Sequence, residues 1–251
     1  MLRNLEGKRI LITGASSGIG KATAELFSKH GSDIGVHYNS NMAGAIQVRD
    51  KIRAQKVKTE LFQGNLLDFK VRATLVEEFV NIFGGIDILI NNAGAYFNYK
   101  HFSELDERDW DEPFDLYVKS PFTLMRDAFQ DMKKRGWGRI VNISTVGIKF
   151  GGSHNMNYVC AKAALEAMTT GFAREGTNHN ILVNNVRCGL IDTPMRTKIP
   201  EYGEERFRAR EAMVPLGRAG KPIDVARTIV HLCSNSGDFI TGQTIAVSGG
   251  E

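Results

Sequence analysis

Short apolar runs alternate with longer amphipathic segments along the 251-residue chain. Each run is too short for a helix and is mostly apolar, which is typical of strands that are covered on both faces. The runs comprise residues 9–13, 33–38, 59–63, 86–91, 138–144, 181–186 and 244–247. The segments with helical periodicity comprise residues 18–29, 43–55, 70–82, 109–135 and 158–175. This β-α-β order predicts an α/β fold with one doubly wound, mostly parallel sheet and helices on both faces.

No internal repeat, low-complexity tract or linker rich in Pro or Ser interrupts this pattern, so we expect residues 1–251 to form a single domain. The least regular stretch, residues 193–222, holds Pro194, Pro200, Pro215 and Pro222 in a charged context. We expect this stretch to leave the core as an excursion, acting as a lid or a substrate loop.

Composition narrows the classes of protein that need to be considered. With 42% hydrophobic and 24% charged residues the chain is typical of globular domains and not of disordered or fibrous ones. The 32 basic and 28 acidic residues are interspersed, so the net charge of +4 gives no sign of a nucleic-acid partner. No apolar run approaches the ~18 residues of a membrane span. The three cysteines lie far apart without metal-ligand spacing, which predicts reduced thiols, no metal site and a cytoplasmic location.

A glycine-rich turn follows the first predicted strand and opens the first predicted helix. It reads Thr13-Gly-Ala-Ser-Ser-Gly-Ile-Gly20, so glycines stand at positions 14, 18 and 20. Glycine permits a tight turn and a close approach of the backbone to a ligand. The helix that follows offers unpaired N–H groups and the positive end of its dipole. The turn therefore predicts a site for the pyrophosphate of a dinucleotide.

The spacing of these glycines resembles the T-G-x-x-x-G-x-G turn of the short-chain dehydrogenase/reductase family. Further along, Asn91-Asn-Ala-Gly94 resembles the family's N-N-A-G segment, and Tyr158 with Lys162 matches its Y-x-x-x-K signature. The stretch 242–250 resembles its C-terminal strand. The resemblance covers essentially the whole chain and implies a Rossmann-like oxidoreductase that interconverts a ketone and a secondary alcohol with a nicotinamide cofactor. It also implies a homotetramer and cofactor contacts at Gly14, Ser16, Ser17, Gly18, Ile19, Gly20, Tyr38, Asn39, Ser40, Asn65, Leu66, Asn92, Ala93, Gly94, Tyr158, Lys162, Gly189, Ile191 and Thr193.

Tyr158 and Lys162 form a candidate acid–base pair, because residues four apart lie on one face of a helix. A cation about 5 Å from the phenol, at an effective dielectric constant of ~20, favours the phenolate by roughly 3 kcal/mol. The pKa of Tyr158 should then fall by about 2.4 units from its ordinary value near 10. By resemblance, the tyrosine donates a proton to the carbonyl oxygen and the lysine also holds the nicotinamide ribose.

The family also has a Ser or Thr hydroxyl, thirteen positions before the tyrosine, that binds the carbonyl. Here that position is Thr145, and Ser144 precedes it at the end of the same strand. Neighbouring side chains of a strand point to opposite faces, so only one of the two hydroxyls can face the substrate. We favour Thr145 and keep Ser144 as the alternative.

Thr145 departs from the family's usual serine by an added methyl group, and two further positions depart from the family pattern. Tyr117 stands where the family has an asparagine that helps a water relay to the lysine, and a phenol cannot reproduce the paired donor and acceptor of an amide. The resupply of protons to Lys162 would then be slower or follow another path. Cys188 precedes Gly189 where the family usually has proline, and it is either a packed thiol or a reactive one beside the cofactor.

The end of the second strand bears on the choice of cofactor. Members selective for NAD carry an acidic residue there that binds the ribose 2′-hydroxyl. This chain has His37-Tyr-Asn-Ser40 instead, with no carboxylate to repel a 2′-phosphate. Asn39 and Ser40 can donate hydrogen bonds, and His37 could add positive charge at lower pH. The segment favours NADP, with NAD as the alternative.

The resemblance places 3-oxoacyl-[acyl-carrier-protein] reductases nearest in function, with an acyl thioester or another carbonyl compound as substrate. Acyl-carrier proteins are acidic, so the basic residues of the excursion could dock one, although glutamates dilute their charge. These residues are Lys198, Arg206, Arg208 and Arg210. The alternatives are an NAD-dependent sugar or alcohol dehydrogenase, and a non-catalytic sensor of NADP, which Tyr117 would favour.

Overall fold

A seven-stranded parallel sheet forms the centre of the protein, and its strands lie in the order β3-β2-β1-β4-β5-β6-β7. The computed structural model describes residues 3–97, 99–152, 154–198 and 203–251. Every strand pair within the sheet is parallel, and the order reverses between β1 and β4. The strands are β1 Arg9–Ile12, β2 Asp33–Tyr38, β3 Thr59–Gln63, β4 Ile88–Asn91, β5 Gly138–Thr145, β6 Ile181–Cys188 and β7 Thr244–Val247. The predicted doubly wound α/β fold is confirmed.

Helices cover both faces of the sheet and enclose two apolar cores. Residues of α1, α2 and α9 share one core with the sheet, and residues of α3, α5 and α7 share the other. The helices are α1 Gly18–Ser28, α2 Met42–Arg53, α3 Phe69–Phe83, α4 Glu107–Phe114, α5 Ser120–Arg135, α6 Gly147–Phe150, α7 Met156–Gly176, α8 Glu204–Ala212 and α9 Pro222–Cys233. The strands contribute fully buried residues to both cores, which explains why they are apolar throughout.

The segment predicted as one helix over 109–135 is divided. Between α4 and α5 the chain forms a π-helical turn, Asp115–Lys119, in which the Ser120 N–H donates to the Asp115 carbonyl. Pro121 explains the change, because it has no N–H to donate to the Tyr117 carbonyl and its ring crowds that carbonyl. Pro113 acts similarly about two turns earlier. It leaves the Asp109 carbonyl to accept a 2.6 Å hydrogen bond from Asn157 Nδ2, which ties α4 to the start of α7.

Buried amides cross the sheet between neighbouring strands. Asn91 of β4 lies opposite Asn142 of β5 and donates to its Oδ1 at 2.8 Å. Asn142 donates to the Thr169 hydroxyl of α7, which in turn donates to Asn185 of β6. Asn185 Nδ2 then donates to the hydroxyl of Thr244 in β7 at 3.2 Å. We call these five residues the amide ladder.

The excursion predicted over 193–222 begins and ends at one point of the core. Ile191 and Gly220 form an isolated parallel bridge, with the Asp192 N–H donating to the Gly220 carbonyl and the Gly220 N–H to Leu190. Between these ends lie the 3₁₀ helix Pro194–Lys198 and α8. Pro200 and Glu201 lie outside the described residues, as does the side chain of Lys198.

Candidate active site

The glycine turn lies at the carboxyl end of β1, beside the point where the strand order reverses. Gly14 and Gly18 have φ values of +65° and +54°, which residues with a Cβ rarely adopt. A Cβ on Gly20 would lie 2.5 Å from Asn92 Nδ2, so only glycine fits there. Ser17 caps α1 without a side-chain hydrogen bond, so its hydroxyl does not occupy the N–H groups of the first helical turn. The turn has the shape and the donors that a pyrophosphate requires.

The predicted Asn92-Ala93 segment lies directly against this turn. Thr13 Oγ1 accepts hydrogen bonds of 3.0 Å from the backbone N–H groups of both residues. Asn92 Nδ2 donates to the carbonyls of Thr13 and Gly14 at 2.8 and 3.1 Å. The structure therefore joins two motifs that lie about 75 residues apart along the chain into one loop cluster.

His37 lies beneath the turn and is buried. Its Nδ1 accepts a 3.3 Å hydrogen bond from the Gly14 N–H, and its Nε2 lies 3.1 Å from the Gly64 carbonyl oxygen. Since Nδ1 is the acceptor, the proton resides on Nε2 and the ring is neutral. Burial lowers the pKa of His37 to about 4. The expectation that His37 adds positive charge near a 2′-phosphate is therefore wrong, because its ring is desolvated and both nitrogens are engaged.

The other residues predicted near the adenine end lie in different surroundings. Asn39 and Ser40 are exposed at the end of β2, where their side chains can meet a ligand. Tyr38 is buried in the core and its hydroxyl donates to Gln63 Oε1, so its side chain does not face the turn. Asn65 is exposed and accepts a hydrogen bond from the Leu67 N–H, whereas Leu66 is buried.

Tyr158, Lys162 and Thr145 meet at the carboxyl end of β5. The first two lie one turn apart on α7, and the Thr145 hydroxyl lies close enough to the Tyr158 phenol to favour its ionised form. Thr145 Oγ1 also accepts from the Gly147 N–H at 3.1 Å. The buried Lys162 Nζ donates to the Ile143 carbonyl at 2.6 Å, which directs the ammonium toward this edge of the sheet.

Ser144 points away from this group. Its hydroxyl donates to Glu166 Oε1 at 2.6 Å, and the same carboxylate is paired with Arg187. The alternation of side chains along β5 therefore places the hydroxyls of Ser144 and Thr145 on opposite sides of the strand. The structure brings Thr145 to Tyr158 and leaves Ser144 out of the cluster.

The ionisation of the pair differs from the expectation derived from the sequence. Burial, followed by the neighbouring Tyr117, raises the pKa of Tyr158, and the nearby Thr145 hydroxyl opposes this only in part. Burial lowers the pKa of Lys162 to about 7, with smaller opposing effects from Cys188 and Glu166. The prediction that the ammonium lowers the pKa of Tyr158 is therefore wrong, because burial is the largest influence on both groups and disfavours their charged forms.

Tyr117 is buried between these elements. The Lys162 ammonium nitrogen lies 4.0 Å from the centroid of the Tyr117 ring and 6.0 Å from that of Tyr158. The two tyrosine rings meet edge to face with their centroids 5.3 Å apart. Burial raises the pKa of Tyr117 to about 12, so its hydroxyl stays protonated.

A water-sized cavity of about 10 Å³ lies beside Lys162 and Tyr117. Asn91 and Ser120 also line it, and neither Asn91 Oδ1 nor Ser120 Oγ has a hydrogen-bond partner among the described residues. The asparagine of the family is thus replaced by a ring on one side of the lysine, and polar side chains remain nearby.

The similarity to known proteins agrees with this geometry. A family model described as Enoyl-(Acyl carrier protein) reductase matches residues 14–251. The chain belongs to the short-chain dehydrogenase/reductase family. Enzymes of this family are oxidoreductases that act on carbonyl and alcohol groups with a nicotinamide cofactor.

Relatives of the same family match along nearly their whole length. The 3-oxoacyl-[acyl-carrier-protein] reductase FabG of Thermotoga maritima is 37% identical over 248 residues, which is 98% of each chain. The acetoin dehydrogenase YohF of Salmonella typhimurium superposes with a TM-score of 0.88 and 32% identity, covering 97% of this chain and 96% of that one. A short-chain dehydrogenase of Burkholderia cenocepacia, solved in complex with NADP, superposes with a TM-score of 0.89 and 29% identity, covering 98% of each chain.

The segment that follows β6 completes the site of this short-chain dehydrogenase/reductase. A Cβ on Gly18 would lie 3.3 Å from the methyl group of Thr193, so Thr193 lies against the glycine turn. Gly189 has its N–H bound by the Val247 carbonyl, and Ile191 takes part in the bridge to Gly220. Cys188 is buried beside Lys162, and burial raises the pKa of its thiol to about 12.

Two residues near the candidate site, Tyr99 and Glu251, were not indicated by the sequence pattern. Tyr99 is near enough to raise the pKa of both Tyr117 and Tyr158, and its ring stacks on that of Tyr96. Glu251 is buried and pairs with Arg210 of α8, while its Oε2 accepts from the Leu190 N–H at 2.9 Å. Both depend on contacts between distant segments, which periodicity does not indicate.

Within the described part of the chain, no helix is long and apolar enough to cross a membrane. No group of three or more His, Cys, Asp and Glu side chains in that part could hold a metal ion, and its three cysteines are free.

Proposed function

We propose that this protein catalyses the NADPH-dependent reduction of a ketone to a secondary alcohol, and the reverse reaction with NADP⁺. The observation that supports the proposal most is the meeting of Tyr158, Thr145 and Lys162 at the sheet edge that also carries the glycine turn. An acid, a second hydroxyl and a cation at the dinucleotide site are what hydride addition to a carbonyl needs.

The protein side chains have distinct roles in this proposal. The bound cofactor supplies the hydride. Thr145 and Tyr158 hold the carbonyl oxygen, and Tyr158 donates the proton that completes the alcohol. Lys162 stabilises the phenolate that remains and holds the ribose of the cofactor. Because burial raises the pKa of Tyr158, the free site stores the proton on the phenol, where the reduction consumes it.

NADP is proposed over NAD because no carboxylate stands at the end of β2 and the exposed Asn39 and Ser40 can donate hydrogen bonds to a 2′-phosphate. The NADP complex of the Burkholderia relative supports the same choice. The comparison of kcat/KM for NADPH and NADH tests it. A preference for NADH above about tenfold would replace the proposal by an NAD-dependent dehydrogenase.

A 3-oxoacyl thioester is the first substrate class, supported by the FabG relatives. Small hydroxyketones and diketones are the second class, supported by the acetoin dehydrogenases and by the charge of the excursion. There Arg196 pairs with Asp192 and Glu204, Arg208 with Glu204, and Arg210 with Glu251. These arginines are engaged within the excursion and its base, which weakens the argument that they dock an acidic carrier protein.

Turnover of NADPH with acetoacetyl thioesters, diacetyl, acetoin and keto sugars tests the enzyme proposal and separates the two classes. Tyr158→Phe should lower kcat by about 10²-fold or more while the Kd for NADPH stays nearly unchanged, because only the acid is removed. Retention of more than about a tenth of the activity would mean that another group supplies the proton. Cofactor binding without turnover of any carbonyl would instead favour the sensor alternative.

The proposed enzyme is a cytoplasmic homotetramer, as the family resemblance implies. Exposed aromatic side chains on the helices that would meet in such an assembly support it, including Phe122 of α5 and Trp110 of α4. Sedimentation of the purified protein, giving a mass near four times 27.8 kDa, would agree with it.

A further inference from the structure

Tyr117 touches two parts of the site through two different ends of its side chain. The ring face lies under the Lys162 ammonium, with 4.0 Å between the nitrogen and the ring centroid. The hydroxyl donates to the Ala95 carbonyl at 3.0 Å and accepts from the Ala95 N–H at 3.1 Å. Ala95 directly follows the Asn92-Ala93-Gly94 segment that lies against the glycine turn.

We propose that Tyr117 is a positioning residue whose ring holds the Lys162 ammonium in place while its hydroxyl fixes the 92–95 loop. This inference rests on the proposed function, because it concerns how the lysine and the cofactor loop are aligned. It also gives a role to the residue that departs most clearly from the family pattern.

The ring of Tyr117 supplies a favourable contact that the buried ammonium of Lys162 would otherwise take from water. Lys162 Nζ has three N–H groups, and the Ile143 carbonyl accepts one of them. The face of an aromatic ring attracts a cation, and the attraction grows when the cation is shielded from water. Lys162 is 6% exposed, so the ring stabilises its charged form where solvent cannot. The π-helical turn before Pro121 brings Tyr117 to this position.

The other charged and titratable groups around Lys162 come from two elements. Tyr158 and Glu166 lie on α7, and Cys188 ends β6. Glu166 is paired with Arg187, and burial keeps the thiol of Cys188 and the phenol of Tyr158 neutral near pH 7. The Ile143 carbonyl and the ring of Tyr117 therefore favour the ammonium without themselves changing charge, and of the two only the ring belongs to a side chain.

The hydroxyl has a separate function because it satisfies both backbone groups of Ala95. Phenylalanine at this position would keep the ring and leave those two groups without their partner. We expect the loop that carries Asn92 and Ala93 to be less well held, and the cofactor to bind more weakly.

Two variants separate the ring from the hydroxyl. Tyr117→Phe should weaken NADPH binding about three- to tenfold, with the alkaline limb of the kcat profile unchanged. Tyr117→Leu should weaken binding similarly and also move that limb to lower pH by about half a unit to one and a half units. The direction follows because the ring stabilises protonated Lys162, so its loss lowers the lysine pKa. Phe129→Leu, which removes a buried ring of α5 outside the site, is the matched control and should change neither quantity.

A readout without turnover keeps this test distinct from that of the proposed function. In cofactor-free protein, ¹³C NMR of labelled lysine should report a lower pKa for Lys162 in Tyr117→Leu than in the wild type or Tyr117→Phe. NADPH affinity is measured by the quenching of its fluorescence or by calorimetry. If the wild type reduces no carbonyl, the proposed function fails, while the lysine pKa and the affinity still test Tyr117.

Equal lysine pKa values in wild type and Tyr117→Leu would overturn the role of the ring. An unchanged Kd for NADPH in Tyr117→Phe would overturn that of the hydroxyl. Should Tyr117→Leu fail to fold by circular dichroism, Tyr117→Met fills a similar volume without a π face and takes its place, with the same expected pKa shift.

Discussion

The hydroxyls of Ser144 and Thr145 are adjacent in sequence but belong to different parts of the protein. The Thr145 hydroxyl lies near the phenol of Tyr158, whereas the Ser144 hydroxyl donates to the carboxylate of Glu166. One neighbour therefore faces the proposed reaction and the other braces α7 against the sheet. The sequence pattern allowed either hydroxyl to face the substrate, and the geometry distinguishes them.

Substitution of Thr145 should lower activity, whereas substitution of Ser144 should mainly lower stability. Thr145→Val keeps the shape and removes the hydroxyl, so we expect kcat/KM to fall about 10²-fold with little change in the Kd for NADPH. Ser144→Ala leaves Glu166 paired with Arg187, so it should keep kcat/KM within about threefold and lower the free energy of unfolding by about 1–2 kcal/mol. Steady-state kinetics and urea denaturation measure both, and a larger kinetic effect from Ser144→Ala would reverse the assignment.

His37 should make the protein less stable in mild acid. Its pKa is about 4 in the folded chain against an ordinary value of 6.5, so the unfolded chain binds a proton that the folded chain excludes. Neutral His37 therefore contributes about 3 kcal/mol to the free energy of unfolding above pH 6.5, and this contribution is lost as the pH falls toward 4.

Denaturation at a series of pH values tests this expectation. His37→Asn has no ring to titrate, so its free energy of unfolding should depend less steeply on pH between 4 and 6.5 than that of the wild type. The control is His231→Asn, which removes an exposed histidine of α9 and should keep the wild-type slope. Parallel pH curves for wild type and His37→Asn would contradict the buried neutral imidazole.

Cys188 should be unreactive in the native protein. Burial raises the pKa of its thiol to about 12, so the nucleophilic thiolate is scarce near neutral pH. Cys233 is buried with a similarly raised pKa, whereas Cys160 is half-buried. We expect brief treatment with iodoacetamide to leave Cys188 and Cys233 unmodified by peptide mass spectrometry, while urea-denatured protein reacts at all three. Rapid native alkylation of Cys188 would favour the reactive thiol that the sequence left open.

The pair formed by Glu251 and Arg210 should hold the excursion to its base. The Glu251 side chain is 3% exposed and also binds the Leu190 N–H, next to the expected nicotinamide segment. Glu251→Gln should raise the KM for the ketone several-fold and lower the free energy of unfolding by about 1–3 kcal/mol, because it leaves Arg210 without its counter-charge.

The double variant Arg210→Gln with Glu251→Gln is the control for that prediction. It removes both charges and should recover part of the stability lost in the single variant, giving a coupling energy of about 1 kcal/mol in a double-mutant cycle. Strictly additive losses would mean that the two side chains act independently.

The parts of the protein that depend on local sequence were predictable. Gly14 and Gly20 mark the turn because backbone geometry excludes a Cβ there, and apolar runs mark strands that are covered on both faces. However, a strand that is covered on both faces is apolar on both, so its sequence does not indicate on which face of the sheet a given side chain lies. His37 was expected at the ligand and is buried beneath the turn, because a strand that is apolar throughout gives no alternation to read.

Features that depend on contacts between distant segments were the other part of the structure that the sequence did not predict. The periodicity over 109–135 predicted one continuous helix, and the effect of Pro113 and Pro121 on it was missed. The ionisation of Lys162 depends on how completely α7, β5 and the π-helical turn exclude water, and no spacing along the chain encodes that. Glu251 reaches Arg210 across 41 positions.

The amide ladder fixes the pairing of strands that their apolar side chains leave ambiguous. If β5 slid along β4 by two residues, Asn142 would lie opposite Leu89 in one direction, and Arg139 would lie opposite Ile90 in the other. The buried amides would then lose partners inside a region without solvent, at a cost of about 1–3 kcal/mol for each unpaired group. These amides therefore oppose misaligned pairing of the strands, and the register they favour is the one that sets Thr145 opposite Cys188 at the carboxyl end of the sheet.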